Sequence, residues 1–240
     1  MKYAILGDIH ANMEAFKAVL ADATEQGVTH YASTGDVVGY NADPKACLQM
    51  LRNLNGIAVQ GNHDYFAACS ESMELFTPMA QKSICWTRKQ LSSTDRKYLR
   101  HLPLIVDVEN FTVVHSSLNN PHRWSYILKR KAADAHFRNQ FNPVCFFGHT
   151  HVPLAFIKED TIEKRFYNTL HIQPGKQYLI NVGSVGQPRD RNPEAAYVIY
   201  DLEARTITMR RVEYDIKSTQ KKVRKAGLPF RNALRLASGR

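Results

Sequence analysis

The chain has 240 residues, 44% hydrophobic and 22% charged, a globular composition that excludes disorder and fibrous repeats. Its net charge of +10 is unevenly spread: eight basic and no acidic residues lie between Lys217 and Arg240, leaving only about +2 on the rest. A nucleic-acid binder therefore does not follow from charge alone. No apolar run approaches a membrane span, and Met1-Lys2 precede too few apolar residues for a signal segment. Cys47, Cys69, Cys85 and Cys145 include no CxxC pair, so reduced thiols and a cytoplasmic location are expected.

In chain order, strands alternate with polar loops and helices. Tyr3–Leu6 predicts a first strand, and Asn12 precedes a helix whose Met13, Phe16, Val19, Leu20 and Ala23 recur at helical spacing. His30–Thr34 predicts a second strand, Asp43-Pro44 a capped helix start, and Gly56–Val59 a third strand. Helix follows from about Ser72 to Arg100, broken near Ser92-Ser93-Thr94. Leu104–Val108 and Phe111–His115 predict a hairpin around Glu109-Asn110. Lys131–Phe141 predicts a helix and Val144–Phe147 a buried strand. Strands are then expected at Leu154–Lys158, Arg165–Ile172, Tyr178–Val182, Ala196–Asp201 and Thr206–Val212. Two short basic helices around Leu228-Pro229 close the chain. Helices early and strands late predict an α/β (α+β) four-layer sandwich, two packed β-sheets flanked by helices, in one domain over 1–240 with a basic helical segment at about 215–240.

Five polar motifs follow apolar runs: Gly7-Asp8-Ile9-His10, Gly35-Asp36, Gly61-Asn62-His63-Asp64, Val113-Val114-His115 and Gly148-His149-Thr150-His151. Loops at the carboxyl ends of strands line one crevice, so these residues can converge. Each of Asp8/His10 and His149/His151 puts both members on one side. One such motif alone is usually a turn; five in order, holding half of the ten histidines, are not. His30, His101, His122, His136 and His171 are taken as ordinary. The donors are nitrogen and oxygen without thiolate, a set suited to Mn²⁺, Fe, Co, Ni or Zn²⁺.

The D-x-H, G-D, G-N-H-[DE], H, G-H-x-H series resembles the calcineurin-like metallophosphoesterases. The stretches Gly35–Tyr40 and Asn181–Asp190, with Leu228-Pro229 and Ala233–Leu236, are similar to its small single-domain prokaryotic branch of phosphodiesterases and diadenosine-tetraphosphatase-like proteins. The resemblance implies two divalent metal ions, manganese favoured. It assigns one to Asp8, His10, Asp36 and His151, and the other to Asp36, Asn62, His115 and His149, with Asp36 bridging. It further implies hydrolysis of a phosphodiester or small phosphorylated metabolite, such as a nucleotide, by a metal-bridging hydroxide. His63 then points away from the metals and donates a proton to the leaving oxygen or a hydrogen bond to phosphate.

Departures narrow this expectation. Gly39 and Tyr40 stand where Ser/Thr phosphoprotein phosphatases of the superfamily carry Asp and Arg, which disfavours that activity. Ser116 replaces a usual glycine, a cost if that turn needs positive φ, and Val182 replaces a usual proline. Asn12 is either a helix cap or a phosphate contact. Arg189 is either a bidentate phosphate ligand or a surface ion-pair partner. Ser117–Trp124 is a lid candidate in which Trp124 stacks on a base or anchors the loop, anchoring being favoured. A nuclease is not favoured, since Lys221, Lys222, Arg224 and Lys225 read as a solvated helix face and little length remains for a DNA-binding cap. A non-catalytic interaction subunit of the same fold is disfavoured by the intact motif series.

Overall fold

The structure, a computed structural model, describes residues 1–74 and 76–240. The first half alternates strand and helix: β1 (Lys2–Leu6), α1 (Met13–Glu25), β2 (His30–Ser33), α2 (Pro44–Asn53), β3 (Ile57–Ala58) and α3 (Asn62–Ala68). Helices α4 (Pro78–Gln90) and α5 (Ser93–His101) lead to strands β4 (Ile105–Val108) and β5 (Phe111–Val114). The rest runs α6 (Arg130–Phe137), β6 (Val144–Phe147), β7 (Leu154–Lys158), β8 (Ile162–Arg165), β9 (Thr169–His171), β10 (Gln177–Asn181), β11 (Ala195–Asp201), β12 (Thr206–Val212), α7 (Ile216–Lys225) and α8 (Phe230–Leu236). Thr77 and Ser92 begin α4 and α5 by accepting the amides of Ala80 and Asp95, so local capping chemistry explains the break between them.

Two mixed six-stranded sheets result, ordered β3-β2-β1-β11-β12-β9 and β4-β5-β6-β10-β7-β8. Alternation along their strands builds the layers. Ala4 and Leu6 of β1 face α1 and α2, with Phe16, Val19 and Leu48, whereas Tyr3 and Ile5 face the second sheet. In β6, Val144 and Phe146 meet them in the inter-sheet core, and Cys145 and Phe147 pack outward on Ala133 and Phe137 of α6. The four-layer α/β sandwich expected from the sequence is the observed fold. Strands β1, β2 and β3 are parallel to one another, as are β5, β6 and β10, so each set presents its carboxyl ends together.

Three local expectations are corrected. Arg165–Ile172 is not one strand: β8 pairs with β7 in one sheet and β9 with β12 in the other. The chain changes sheets at Tyr167, whose hydroxyl donates to the Asn181 carbonyl at 2.8 Å. Asp43 makes no side-chain cap to α2; it takes Lys222 Nζ at 2.7 Å instead. Lys222 also pairs with Glu14 at 2.5 Å, so it fastens α7 to α1 rather than joining a solvated face, while Lys221, Arg224 and Lys225 remain exposed. No helix among the described residues is long and apolar enough to cross a membrane, and all four cysteines are free.

Candidate metal centre

The two sets of carboxyl ends meet at one place. Asp8 and His10 follow β1, Asp36 follows β2, Asn62 and His63 open α3, His115 follows β5, and His149 and His151 follow β6. Backbone bonds lock the first two loops in register, from Asp8 N to Gly35 O, His10 N to Asp36 O and Ala11 N to Val37 O. The Asp8 carboxylate accepts the His149 amide at 3.0 Å and thereby joins the two sheets across the site. Asp8, His10, Asp36, His149 and His151 all adopt positive φ, as do Ala11 and Tyr40. Each such non-glycine residue costs about 1–3 kcal/mol, so the fold holds these turns against local preference. Ser116 is free of this strain, and the expected penalty there does not arise.

The donor atoms form two groups around a shared oxygen. His10 Nε2 lies 3.2 Å from His151 Nε2 and 3.9 Å from Asp8 Oδ1. His115 Nε2 lies 3.0 Å from Asn62 Oδ1 and 3.1 Å from His149 Nδ1. Asp36 Oδ2 stands between, 3.6 Å from His10 Nε2 and 3.4 Å from His115 Nε2. Asp36 Oδ1 does not take part: it accepts the His63 amide at 2.8 Å. Oδ2 is thus the Asp36 oxygen left free toward both donor groups.

Tautomers follow from the backbone. His10, His115 and His151 each direct Nδ1 at a carbonyl, of Val38, Thr34 and Gln187 respectively, at 3.0, 2.8 and 2.6 Å. Donation from Nδ1 leaves an unprotonated Nε2 on each ring. Burial pushes the His10 and His151 imidazoles well below their usual range and His115 to about 4, so all three are held neutral. Two neutral Nε2 lone pairs 3.2 Å apart cannot hydrogen-bond to each other. A cation bound by both would relieve that contact. Burial likewise raises Asp36 to about 8 and Asp8 well above the carboxylate range, a cost of desolvation that a bound divalent ion reverses. These residues fit a pair of divalent metal ions.

Asp64 was read only as part of a motif, yet it organises the site. Its buried carboxylate accepts the amides of Asp36 at 2.7 Å, Val37 at 2.9 Å, Val38 at 3.2 Å and Gly61 at 3.1 Å. Four fixed donors around one carboxylate shape the Asp36 turn. Close approach also explains two glycines: a Cβ on Gly61 would fall 2.1 Å from Asp36 Oδ1, and one on Gly39 would fall 2.4 Å from His63 Nδ1.

His63 is buried and borders the group rather than pointing away from it: one ring nitrogen lies within 4.8 Å of donor atoms of His10 and Asp36. Its Nδ1 has no hydrogen-bond partner, and its ring packs on Tyr40 at 4.4 Å and Phe76 at 5.5 Å between centroids. Arg189 lines the same space, with its guanidinium donating to Gln187 Oε1 at 3.0 Å and lying over the Tyr40 ring at 5.5 Å. Asn12 is not there: fully buried, it accepts the Ala15 amide and donates to Gly186 O. Of its two readings, the cap is the one realised.

A cavity of about 700 Å³ opens beyond the donors. It is lined by Asp36, Asn62, His63, His149, His151 and Arg189 and by the rings of Tyr65, Phe66, Phe76, Trp124 and Tyr126. Trp124 packs against Tyr65 at 5.3 Å and Phe66 at 5.6 Å, so it anchors its loop. Tyr126 stacks on His149 at 4.3 Å. The aromatic lining went unread in the sequence because Tyr65, Phe66 and Phe76 belong to no motif.

Residues 1–205 match the model of the calcineurin-like phosphoesterase superfamily domain. An uncharacterized protein of Methanocaldococcus jannaschii is 36% identical over 99% of this chain and 98% of its own. The crystal structure of a metallophosphoesterase from Sphaerobacter thermophilus is 38% identical with a TM-score of 0.89, covering 100% of this chain and 99% of that one. A hypothetical protein from Pyrococcus horikoshii shares the fold at 20% identity, with a TM-score of 0.80 over 100% of this chain and 98% of its own. Motif order, donor geometry and these likenesses agree: the chain belongs to the calcineurin-like phosphoesterase superfamily.

Proposed function

We propose that this protein is a binuclear metal-dependent phosphoesterase acting on a phosphodiester or small phosphorylated metabolite. The facing Nε2 atoms of His10 and His151, with Asp36 Oδ2 shared between the two donor groups, carry that reading. Asp8, His10, Asp36 and His151 hold one ion; Asp36, Asn62, His115 and His149 hold the other. When bound, two such ions supply an activated water and the positive charge that a phosphoryl group needs in flight. The nitrogen and oxygen donors suit Mn²⁺, Fe, Co, Ni or Zn²⁺, of which the resemblance favours manganese. The four free cysteines agree with a reducing, cytoplasmic setting.

The chain's own groups do the rest. Arg189, whose Nε is buried without a partner, offers N–H donors to phosphate oxygens. His63 is held by Gly39, Tyr40 and Phe76 at the edge of the donors, where a ring N–H reaches a leaving oxygen. Such help is worth about 10²–10⁴-fold, and most for a poor leaving group. The test is turnover of bis(p-nitrophenyl) phosphate and an alkyl phosphodiester by manganese-loaded wild type and His63→Gln. Wild type should hydrolyse both, and the variant should lose far more rate on the alkyl ester. No turnover of either ester by metal-loaded wild type would contradict the proposal.

A further inference from the structure

The cavity is larger than a phosphate requires, and its volume of about 700 Å³ falls in the range of sites that enclose a whole small organic molecule. Its aromatic lining adjoins the His63 ring. From that ring an unbroken aromatic series runs outward: Phe76 at 5.5 Å from His63, Phe66 at 4.9 Å from Phe76, and Trp124 at 5.6 Å from Phe66. Two polar features accompany it. Trp124 Nε1 is a buried donor with no acceptor, and Glu71, whose exposed carboxylate accepts the Tyr65 hydroxyl with one oxygen and keeps the other, also lines the cavity.

We propose that this aromatic lining receives the leaving group, and that the leaving group is a nucleoside. A planar base stacks on Phe76 and Trp124. A base acceptor takes the Trp124 N–H, and the ribose hydroxyls donate to Glu71, as diols do to carboxylates in other nucleotide sites. An aliphatic alcohol would leave the indole donor unmatched. The inference rests on the phosphoesterase reading. In the step, water's oxygen forms the new bond to phosphorus and the P–O bond to the nucleoside breaks. His63 passes its ring N–H proton to the departing nucleoside oxygen, and the proton that the attacking water gives up restores that N–H.

Two measurements test it. With manganese-loaded protein, adenosine 5′-(methyl phosphate) should yield adenosine and methyl phosphate, not adenosine monophosphate and methanol. Its kcat/KM should exceed that of glycerol methyl phosphate by roughly 5- to 150-fold, the worth of base–aromatic stacking, and Phe76→Ala should bring that ratio toward one. Independently of turnover, adenosine should quench the single remaining tryptophan of Trp86→Phe, and glycerol should not. Hydrolysis of bis(p-nitrophenyl) phosphate with no nucleoside preference, or with methanol as the product, would overturn this inference and leave the phosphoesterase reading standing. No hydrolysis of any ester would overturn both.

Discussion

A Cβ placed on Gly39 would fall 2.4 Å from Nδ1 of His63, so the smallest residue in the second motif is what lets that imidazole reach the edge of the donor group. Its Nδ1 has no partner, and Tyr40 and Phe76 hold the ring by packing alone.

Gly39→Ala should therefore displace His63 while leaving both donor groups in place. Gly39 also sits at φ +96°, so alanine should cost about 1 kcal/mol or more. Metal content should stay near wild type, and kcat on an alkyl phosphodiester should fall at least roughly tenfold. Unchanged kcat would show that Gly39 does not set the position of His63.

Asp64→Asn should weaken metal binding although Asp64 is outside the proposed ligand set. An amide replaces one carboxylate oxygen with a donor, leaving some of the amides of Asp36, Val37, Val38 and Gly61 without an acceptor. Loss of a group that orients ligands typically costs about 10–100-fold in affinity. Competitive titration of manganese against a chelator checks this; wild-type affinity would contradict it.

His136 makes a pH-dependent contribution remote from the proposed ligands. Its buried Nδ1 accepts the Leu118 amide at 3.1 Å, and burial lowers its pKa to about 3. Since the unfolded side chain titrates near 6.5, the unfolded state binds the extra proton first as pH falls. The stabilisation is full above about pH 6.5 and is lost between there and about pH 3, at roughly 1.4 kcal/mol per unit. His136→Asn should thus lose about 2 kcal/mol less than wild type between pH 7 and pH 5 in urea unfolding. Parallel pH profiles would contradict the assignment.

The strands were legible because short apolar runs such as Tyr3–Leu6 end at polar tips; that Ala4/Leu6 and Tyr3/Ile5 serve two distinct cores is what makes the run apolar throughout. The motif residues were legible because chemistry and tight turns restrict residue choice at strand ends. Arg165–Ile172 misled because a strand that ends in one sheet and resumes in the other has the same pattern as one continuous strand. His136 looked ordinary since no spacing marks a histidine that accepts one distant amide. Asp64 was visible as a letter of a motif, but its four amide partners come from turns that only the fold brings together. The aromatic lining of the cavity carries no periodic signal at all.

Asp36, whose Oδ2 lies between the two donor groups, is the residue proposed to serve both metal ions. The direct measurement is elemental analysis of manganese-reconstituted wild type and Asp36→Asn, with phosphodiesterase activity on the same samples. Wild type should hold close to two equivalents, and the variant should lose much of both along with activity, since the amide removes the charge between the donor groups. Two equivalents and wild-type turnover in Asp36→Asn would contradict the account.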